Sequence, residues 1–194
     1  MKKIITYILL IIVITMQSAV ANEETLILFD TSLSMADDIN GMPKYQLATE
    51  ATKEFLDTVP ESKYLGLRII GIIPDNNILS YMLQPELLCK ATRLIVPISV
   101  SNTKNIKSSL DTLMPLGTTP LIYSIDASVN HDFSSSVTLR HIILVTDGID
   151  ECGGDLCEYI KILKRKNINI KIDIIAIGPD AEELAQLRCL TEGT

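Results

Sequence analysis

Asp30, Ser32 and Ser34 are the residues of this chain whose types and spacing are best suited to chemistry. They place one carboxylate and two hydroxyls at positions i, i+2 and i+4, in the segment 29–35 that directly follows the apolar run 26–28. Oxygen ligands of this kind suit a hard divalent cation such as Mg2+ rather than a soft metal. Because hydroxyls are neutral, a bound cation would keep positive charge and open coordination positions that a partner's carboxylate could fill. The segment therefore favours partner binding over catalysis.

Two further segments carry polar residues to which the same argument applies. One is the Gly-Thr-Thr-Pro-Leu stretch at 117–121, a loop that enters a helical pattern, and the other is Thr-Asp-Gly at 146–148, after an apolar strand. In open α/β sheets, ligands bind outside the carboxyl ends of the strands, near the point where strand order reverses. We therefore expect one oxygen-lined site formed by Asp30, Ser32, Ser34, a threonine of the second segment and Asp147.

The elements that must position these residues follow from the apolar pattern. Strands are predicted at 24–29, 65–73, 93–98, 141–146 and 170–177, and helices at 43–56, 103–113, 121–129, 155–166 and 180–190. The run 141–146 is nearly continuously apolar, as in a strand buried on both faces of a parallel sheet. Pro97 places the third strand at an edge of the sheet. The alternation predicts an α/β fold with a doubly wound, mostly parallel sheet flanked by helices.

The first 21 residues have the pattern of a secretory signal peptide. A basic start, Met-Lys-Lys, precedes an apolar stretch at 4–16 and the sequence Ala-Val-Ala at 19–21. This order is typical of a leader that is cleaved, here after Ala21. The alternative is an uncleaved membrane anchor, but the apolar stretch is shorter than the 18 or more residues that indicate a spanning helix. We predict an exported protein with no stable membrane span after cleavage, and the periplasm and the external medium stay open as its location.

Cleavage would make the chain more acidic. The net charge moves from −7 to −9, because the leader contains two lysines and no acidic residue. An acidic domain is a poor nucleic-acid binder, since that binding depends on clustered lysine and arginine. About 170 residues remain, which is enough for one domain with a proper core.

These motifs resemble those of the von Willebrand factor type A (VWA) domain and its metal-ion-dependent adhesion site (MIDAS). The family's D-x-S-x-S motif, its threonine and its later aspartate match Asp30, Ser32, Ser34, Thr119 and Asp147. The resemblance implies that the serines and the threonine ligate Mg2+ or Mn2+, while the aspartates bind the ion directly or through water. Because the similarity runs from about Glu24 onward, we expect residues 22–194 to form one VWA domain.

The sequence departs from the family pattern at two places. Leu33 occupies a position that is often glycine, so we expect a stiffer or more apolar first loop. Family members usually continue through a Gly-Gly turn into another strand and helix, whereas this sequence stops at residue 194. We therefore expect that C-terminal strand and helix to be missing, which would leave backbone groups unpaired at a sheet edge.

Four cysteines in an exported protein indicate disulfides, and four cysteines allow three pairings. Cys152 and Cys157 enclose a short loop containing two glycines, which is flexible enough to close. We favour a bond between these two, with Cys89–Cys189 as the second. A four-cysteine zinc site is the less favoured alternative, because only one cysteine pair is local in sequence.

Three functions fit the sequence. The leading hypothesis is a non-enzymatic, metal-dependent protein-binding module for adhesion or complex assembly, whose cation accepts an acidic residue of a protein partner. The second is a metal-assisted phosphohydrolase that uses Asp30, and the third is a purely structural metal. His131 and His141 stand apart from any serine or cysteine arranged for nucleophilic catalysis. The sequence leaves open the partner, the oligomeric state and the choice among Mg2+, Mn2+ and Ca2+.

Overall fold

The structure is a computed structural model that describes residues 22–72 and 84–194. The predicted signal peptide at 1–21 lies outside the described residues, as does the last residue of the strand predicted at 65–73. Within the described ranges, no helix combines the length and the apolar character that crossing a membrane requires.

Five strands form one central sheet. They are β1 (Glu23–Asp30), β2 (Tyr64–Ile70), β3 (Thr92–Ser99), β4 (Leu139–Thr146) and β5 (Ile170–Ala176), arranged in the order β3-β2-β1-β4-β5. Neighbouring strands are parallel except β3, which runs antiparallel to β2. The predicted edge position of the strand with Pro97 is confirmed, and its reversed direction is what makes the sheet mostly rather than fully parallel.

Five helices cover the two faces of the sheet. They are α1 (Lys44–Thr58), α2 (Thr103–Leu110), α3 (Leu121–His131), α4 (Leu156–Arg165) and α5 (Ala181–Glu192). Alternate residues of β1 point to opposite faces, as in any strand. Leu28 joins the core under α3, α4 and α5, whereas Ile27 and Phe29 join the core under α1 and α2. The doubly wound α/β architecture predicted from the sequence is confirmed.

The predicted disulfide pairing is wrong. The bonds are Cys89–Cys152 and Cys157–Cys189, with Cα–Cα distances of 5.5 and 5.1 Å. Cys157 lies in the first turn of α4, and the packing of α4 against α5 brings it to Cys189. Cys152 lies in a loop where its backbone N–H donates to the side chain of Asp150, and its sulfur is bonded to Cys89. Short sequence separation therefore did not determine the pairing.

Candidate functional site

The first loop of the site leaves β1 and is fixed to the end of β2. The backbone N–H and the hydroxyl of Thr31 both donate to the carbonyl of Ile70, at 2.9 and 2.7 Å. A short 3-10 helix, Leu33–Ala36, follows. The loop is therefore held by the sheet itself at the carboxyl ends of two adjacent parallel strands, the place where the sequence predicts a site.

The second loop runs beside the first. The Leu33 N–H donates to the Gly117 carbonyl at 2.7 Å, and the Leu116 N–H donates to the Thr31 carbonyl at 2.9 Å. These bonds give the two loops a short parallel pairing between Ser32 and Gly117. The pairing places the segment that contains Thr119 next to the two serines.

A chain of oxygen atoms joins the first loop to the end of β4. The Ser32 and Ser34 hydroxyl oxygens are 3.0 Å apart, and the Ser34 hydroxyl donates to Asp147 Oδ1 at 3.0 Å. Thr119 is buried and lines the same pocket of about 230 Å³ as Ser34 and Asp147. The structure thus brings together residues from all three predicted segments, and their role as metal ligands stays a prediction.

Asp30 lies behind this chain of oxygens and is fully buried. Its Oδ1 accepts the Ser32 backbone N–H at 2.8 Å, and its Oδ2 accepts the Thr146 hydroxyl at 2.6 Å. Burial raises the pKa of Asp30 to about 6, although these hydrogen bonds favour the charged form; the nearby Asp147 carboxylate raises the pKa further. Asp30 therefore orients the first loop from beneath, with both of its carboxylate oxygens engaged.

The oxygen spacing fits a small octahedral cation. Adjacent ligands of an octahedral Mg2+ ion, each about 2.1 Å from the metal, are about 3.0 Å apart. The Ser32–Ser34 and Ser34–Asp147 oxygen pairs already have this separation through hydrogen bonding. Residues 22–72 and 84–194 contain no cluster of three or more His, Cys, Asp and Glu side chains suited to a metal. The candidate site differs from such clusters, because several of its oxygen atoms belong to neutral hydroxyls.

Lys44 was predicted only as part of a helix, but the structure places it in the site. Its Nζ donates to Asp147 Oδ2 at 2.8 Å and lies 3.9 Å from Asp37 Oδ2. One sequence signal could have drawn attention to it. Lys44 is the first residue of α1, where the helix dipole disfavours a positive charge.

The loop after β4 supports the site through Glu151 and Asp150, neither of which was predicted to do so. The Glu151 side chain accepts the Thr119 N–H at 2.9 Å, and the Glu151 N–H donates to the Thr119 carbonyl at 3.1 Å. The neighbouring Asp150 accepts the Ile122 N–H in the first turn of α3 at 2.9 Å. The Cys89–Cys152 bond ties this loop to the segment before β3. Together these contacts hold Thr119 in place.

The surroundings of the site are apolar on one side and acidic on the other. Leu33 and Leu116 are 64% and 47% exposed, and the backbone pairing of the two loops holds them near the serines. The pocket itself is lined by the carboxylates of Asp37, Asp147, Glu151 and Glu183. Exposed large apolar side chains beside a polar pocket are typical of an interaction surface.

Two curated relatives come from Bacillus subtilis (strain 168), and both are described as uncharacterized proteins. YwmD is 28% identical over 170 residues, which cover 86% of this chain and 74% of YwmD. YwmC is 29% identical over 170 residues, which cover 87% of this chain and 71% of YwmC. No protein-family model matches the chain. These relatives share most of the chain's length, and their descriptions name no function.

Solved structures identify the fold. An aerotolerance-related membrane protein from Bacteroides fragilis superposes with a TM-score of 0.62 at 18% identity, over 88% of this chain and 87% of its own. A von Willebrand factor type A structure from Catenulispora acidiphila gives 0.60 at 22% identity, over 87% and 37%. Proximal thread matrix protein 1 of the mussel byssus, with a zinc-occupied MIDAS motif, gives 0.60 at 18% identity, over 86% and 41%. The chain has the fold of a VWA domain, and it spans less than half of the latter two solved chains.

Proposed function

We propose that this protein is an exported, non-enzymatic protein-binding module for adhesion or complex assembly. A divalent cation, Mg2+ or Mn2+, would be held by Asp30, Ser32, Ser34, Thr119 and Asp147 and would accept a carboxylate from a protein partner. The observation that carries the proposal is the chain of oxygens from Ser32 through Ser34 to Asp147 at the carboxyl ends of β1 and β4.

The donor set supports a cation that keeps open positions. Hydroxyls of Ser32, Ser34 and Thr119 bring no charge, and both oxygens of Asp30 are engaged by hydrogen bonds within the protein. Asp147 would then be the one carboxylate of the site in direct contact with the ion, which would retain positive charge for an incoming carboxylate. The mussel protein with the same fold holds zinc in its MIDAS motif. That observation supports metal binding by this fold. Titration with Mg2+ and Mn2+ would identify the ion that this protein binds.

The surroundings support a protein as the partner. Leu33 and Leu116 expose large apolar side chains beside the site, and apolar side chains in the core of an interface supply much of its buried area. A partner with an aliphatic side chain near its metal-binding carboxylate would cover them. Two disulfides, together with the predicted leader, support export, because such bonds persist in oxidising compartments.

The phosphohydrolase alternative receives less support. A nucleophilic carboxylate must reach its substrate, but both oxygens of Asp30 accept hydrogen bonds within the protein and the side chain is fully buried. A purely structural cation differs from the main proposal in one respect. It would stabilise the loops without any preference for a partner's carboxylate.

The first test measures thermal unfolding of the protein in chelator and then in a series of Mg2+ and Mn2+ concentrations. A cation at 100 times its Kd should add about 2.7 kcal/mol of stability. Ser32→Ala should remove this gain, whereas Ser135→Ala, an exposed serine far along the chain, should retain it. Absence of any cation effect in the native protein would refute the proposal.

A second test separates partner binding from a structural metal. Inner-sphere water on bound Mn2+ is followed by water-proton relaxation while a short Leu-Asp-Leu peptide is added, with Leu-Asn-Leu as the matched control. Both peptides have acetylated N-termini and amidated C-termini, so that the aspartate supplies the one carboxylate. Displacement of water by the aspartate peptide alone supports a carboxylate-accepting site. Equal responses to both peptides, in a protein that does bind Mn2+, would leave the structural role as the better account.

A further inference from the structure

We propose that Lys44 is a built-in counterion of the candidate metal site, which neutralises Asp147 while no divalent cation is bound and must be displaced when one binds. The inference rests on the cation site of the proposed function and concerns its regulation. Lys44 thereby lowers the site's affinity for metal and keeps the metal-free domain stable.

The contact between the two charges is short and shielded from water. Lys44 Nζ lies 2.8 Å from Asp147 Oδ2, and the two side chains are only 16% and 2% exposed. Charges attract more strongly in such a setting than in water. A buried carboxylate that loses its only cation is also strongly destabilising. Lys44 therefore supplies, in the absence of metal, the positive charge that Asp147 requires.

The position of Lys44 has no explanation in the helix that carries it. Lys44 begins α1, and a cation at a helix N-terminus is opposed by the helix dipole. The first turn of α1 contains no acidic residue that would offset this. The lysine instead faces a pocket lined by Asp37, Asp147, Glu151 and Glu183. Its location is thus accounted for by the site.

A metal ion and the ammonium group would compete for the same carboxylate. Asp147 Oδ1 accepts the Ser34 hydroxyl and Oδ2 accepts Lys44, so both oxygens are already engaged. A divalent ion beside Ser34 and Asp147 would bring like charges close together, which is costly. The ammonium must therefore move away, and the work of moving it lowers the apparent affinity for the cation.

The test is calorimetric titration of the protein with Mg2+ and with Mn2+. Lys44→Met keeps the length of the side chain and removes its charge, so we expect affinity to rise by about tenfold or more. Lys44→Arg keeps the charge and should not show this gain. Lys53→Met is the matched control. Lys53 lies on the same helix, and its partner is the exposed Asp111. If the native protein binds the cation and Lys44→Met binds it equally or more weakly, the inference about Lys44 is overturned while the proposed function stands.

A second measurement uses the native protein and needs no variant. Reductive methylation followed by mass spectrometry reports the accessibility of each lysine. Lys44 should become more reactive when Mg2+ is added, while Lys53 should not change. An unchanged Lys44 at saturating Mg2+ contradicts displacement. If neither Mg2+ nor Mn2+ binds native protein or Lys44→Met, the proposed function fails together with this inference.

Discussion

Gly117 lies so close to Gly71 that a Cβ atom on Gly117 would stand 2.0 Å from the Gly71 carbonyl oxygen. Gly71 has a φ of +77°, which side-chain-bearing residues rarely adopt, and a Cβ there would approach the Ser32 backbone nitrogen at 3.0 Å. The segment after β2 and the loop before α3 therefore cross with no room for side chains. This crossing sets the position of the serine loop.

Gly117→Ala should damage both stability and the site. Forcing a methyl group against backbone costs about 1–3 kcal/mol or more and would push the Thr119 loop away from the serines. Gly148→Ala is the control, because the nearest atom to its Cβ would be Glu183 Oε1 at an ordinary 3.5 Å. Urea unfolding and Mg2+ titration of both variants provide the measurement. Equal behaviour of the two would contradict the importance of the crossing.

The two disulfides should have separable effects. Removing either bond should cost about 2–4 kcal/mol, since the sequence separations of 63 and 32 residues are both large. Only the Cys89→Ser/Cys152→Ser pair should also weaken cation binding, because Cys152 adjoins Glu151, which holds the Thr119 backbone. Cys157→Ser/Cys189→Ser is the matched control, and calorimetry after thermal unfolding compares the two. A loss of affinity of the same size in both variants would rule out this assignment.

The buried pair of Arg68 and Asp132 should be important for stability and irrelevant to the cation. Arg68 Nε and Nη2 donate to the two carboxylate oxygens at 2.6 and 2.7 Å, and the Asp132 side chain is 2% exposed. Arg68→Met leaves that carboxylate buried without its cation and should cost about 3–5 kcal/mol. Lys107→Met, whose partner Asp57 is exposed, should cost less than about 1 kcal/mol. Urea unfolding measures the free energy of unfolding of both variants. Similar losses in Arg68→Met and Lys107→Met would refute the distinction between the two pairs.

Tyr159 should make the protein sensitive to alkali. Burial, reinforced by the negative charge of Asp126 and by the hydrogen bond to it at 3.0 Å, raises the pKa of the phenol above its usual range. The unfolded chain releases this proton near pH 10, whereas the folded protein retains it, so stability should fall as the pH rises through about 10. Tyr159→Phe should show a shallower fall than the native protein in urea unfolding between pH 9 and 11. Tyr123→Phe, an exposed tyrosine, should behave as the native protein does.

The sequence predicted the fold because each strand and helix has its own apolar pattern. The approach of Ser34 to Asp147 was also predictable, since the carboxyl ends of parallel strands meet at one edge of a sheet. The contact of Lys44 with Asp147 was not, because helical periodicity reports which face is buried and not how far a charged side chain reaches. The Arg68–Asp132 pair and the disulfide pairing were also missed, because the apolar pattern of a single element does not report its neighbours. They join residues whose proximity depends on how whole elements pack.

The Cys89–Cys152 bond has a mechanical consequence for a chain that is pulled from its two ends. Tension along the backbone passes from residue 89 to residue 152 across the sulfur atoms and bypasses the enclosed chain. That enclosed chain contains both Thr119 and Asp147, while the second bond shields the segment between Cys157 and Cys189 in the same way. Two of the three loops of the site are therefore protected from being drawn out under load, and only the serine loop lies on the strained path.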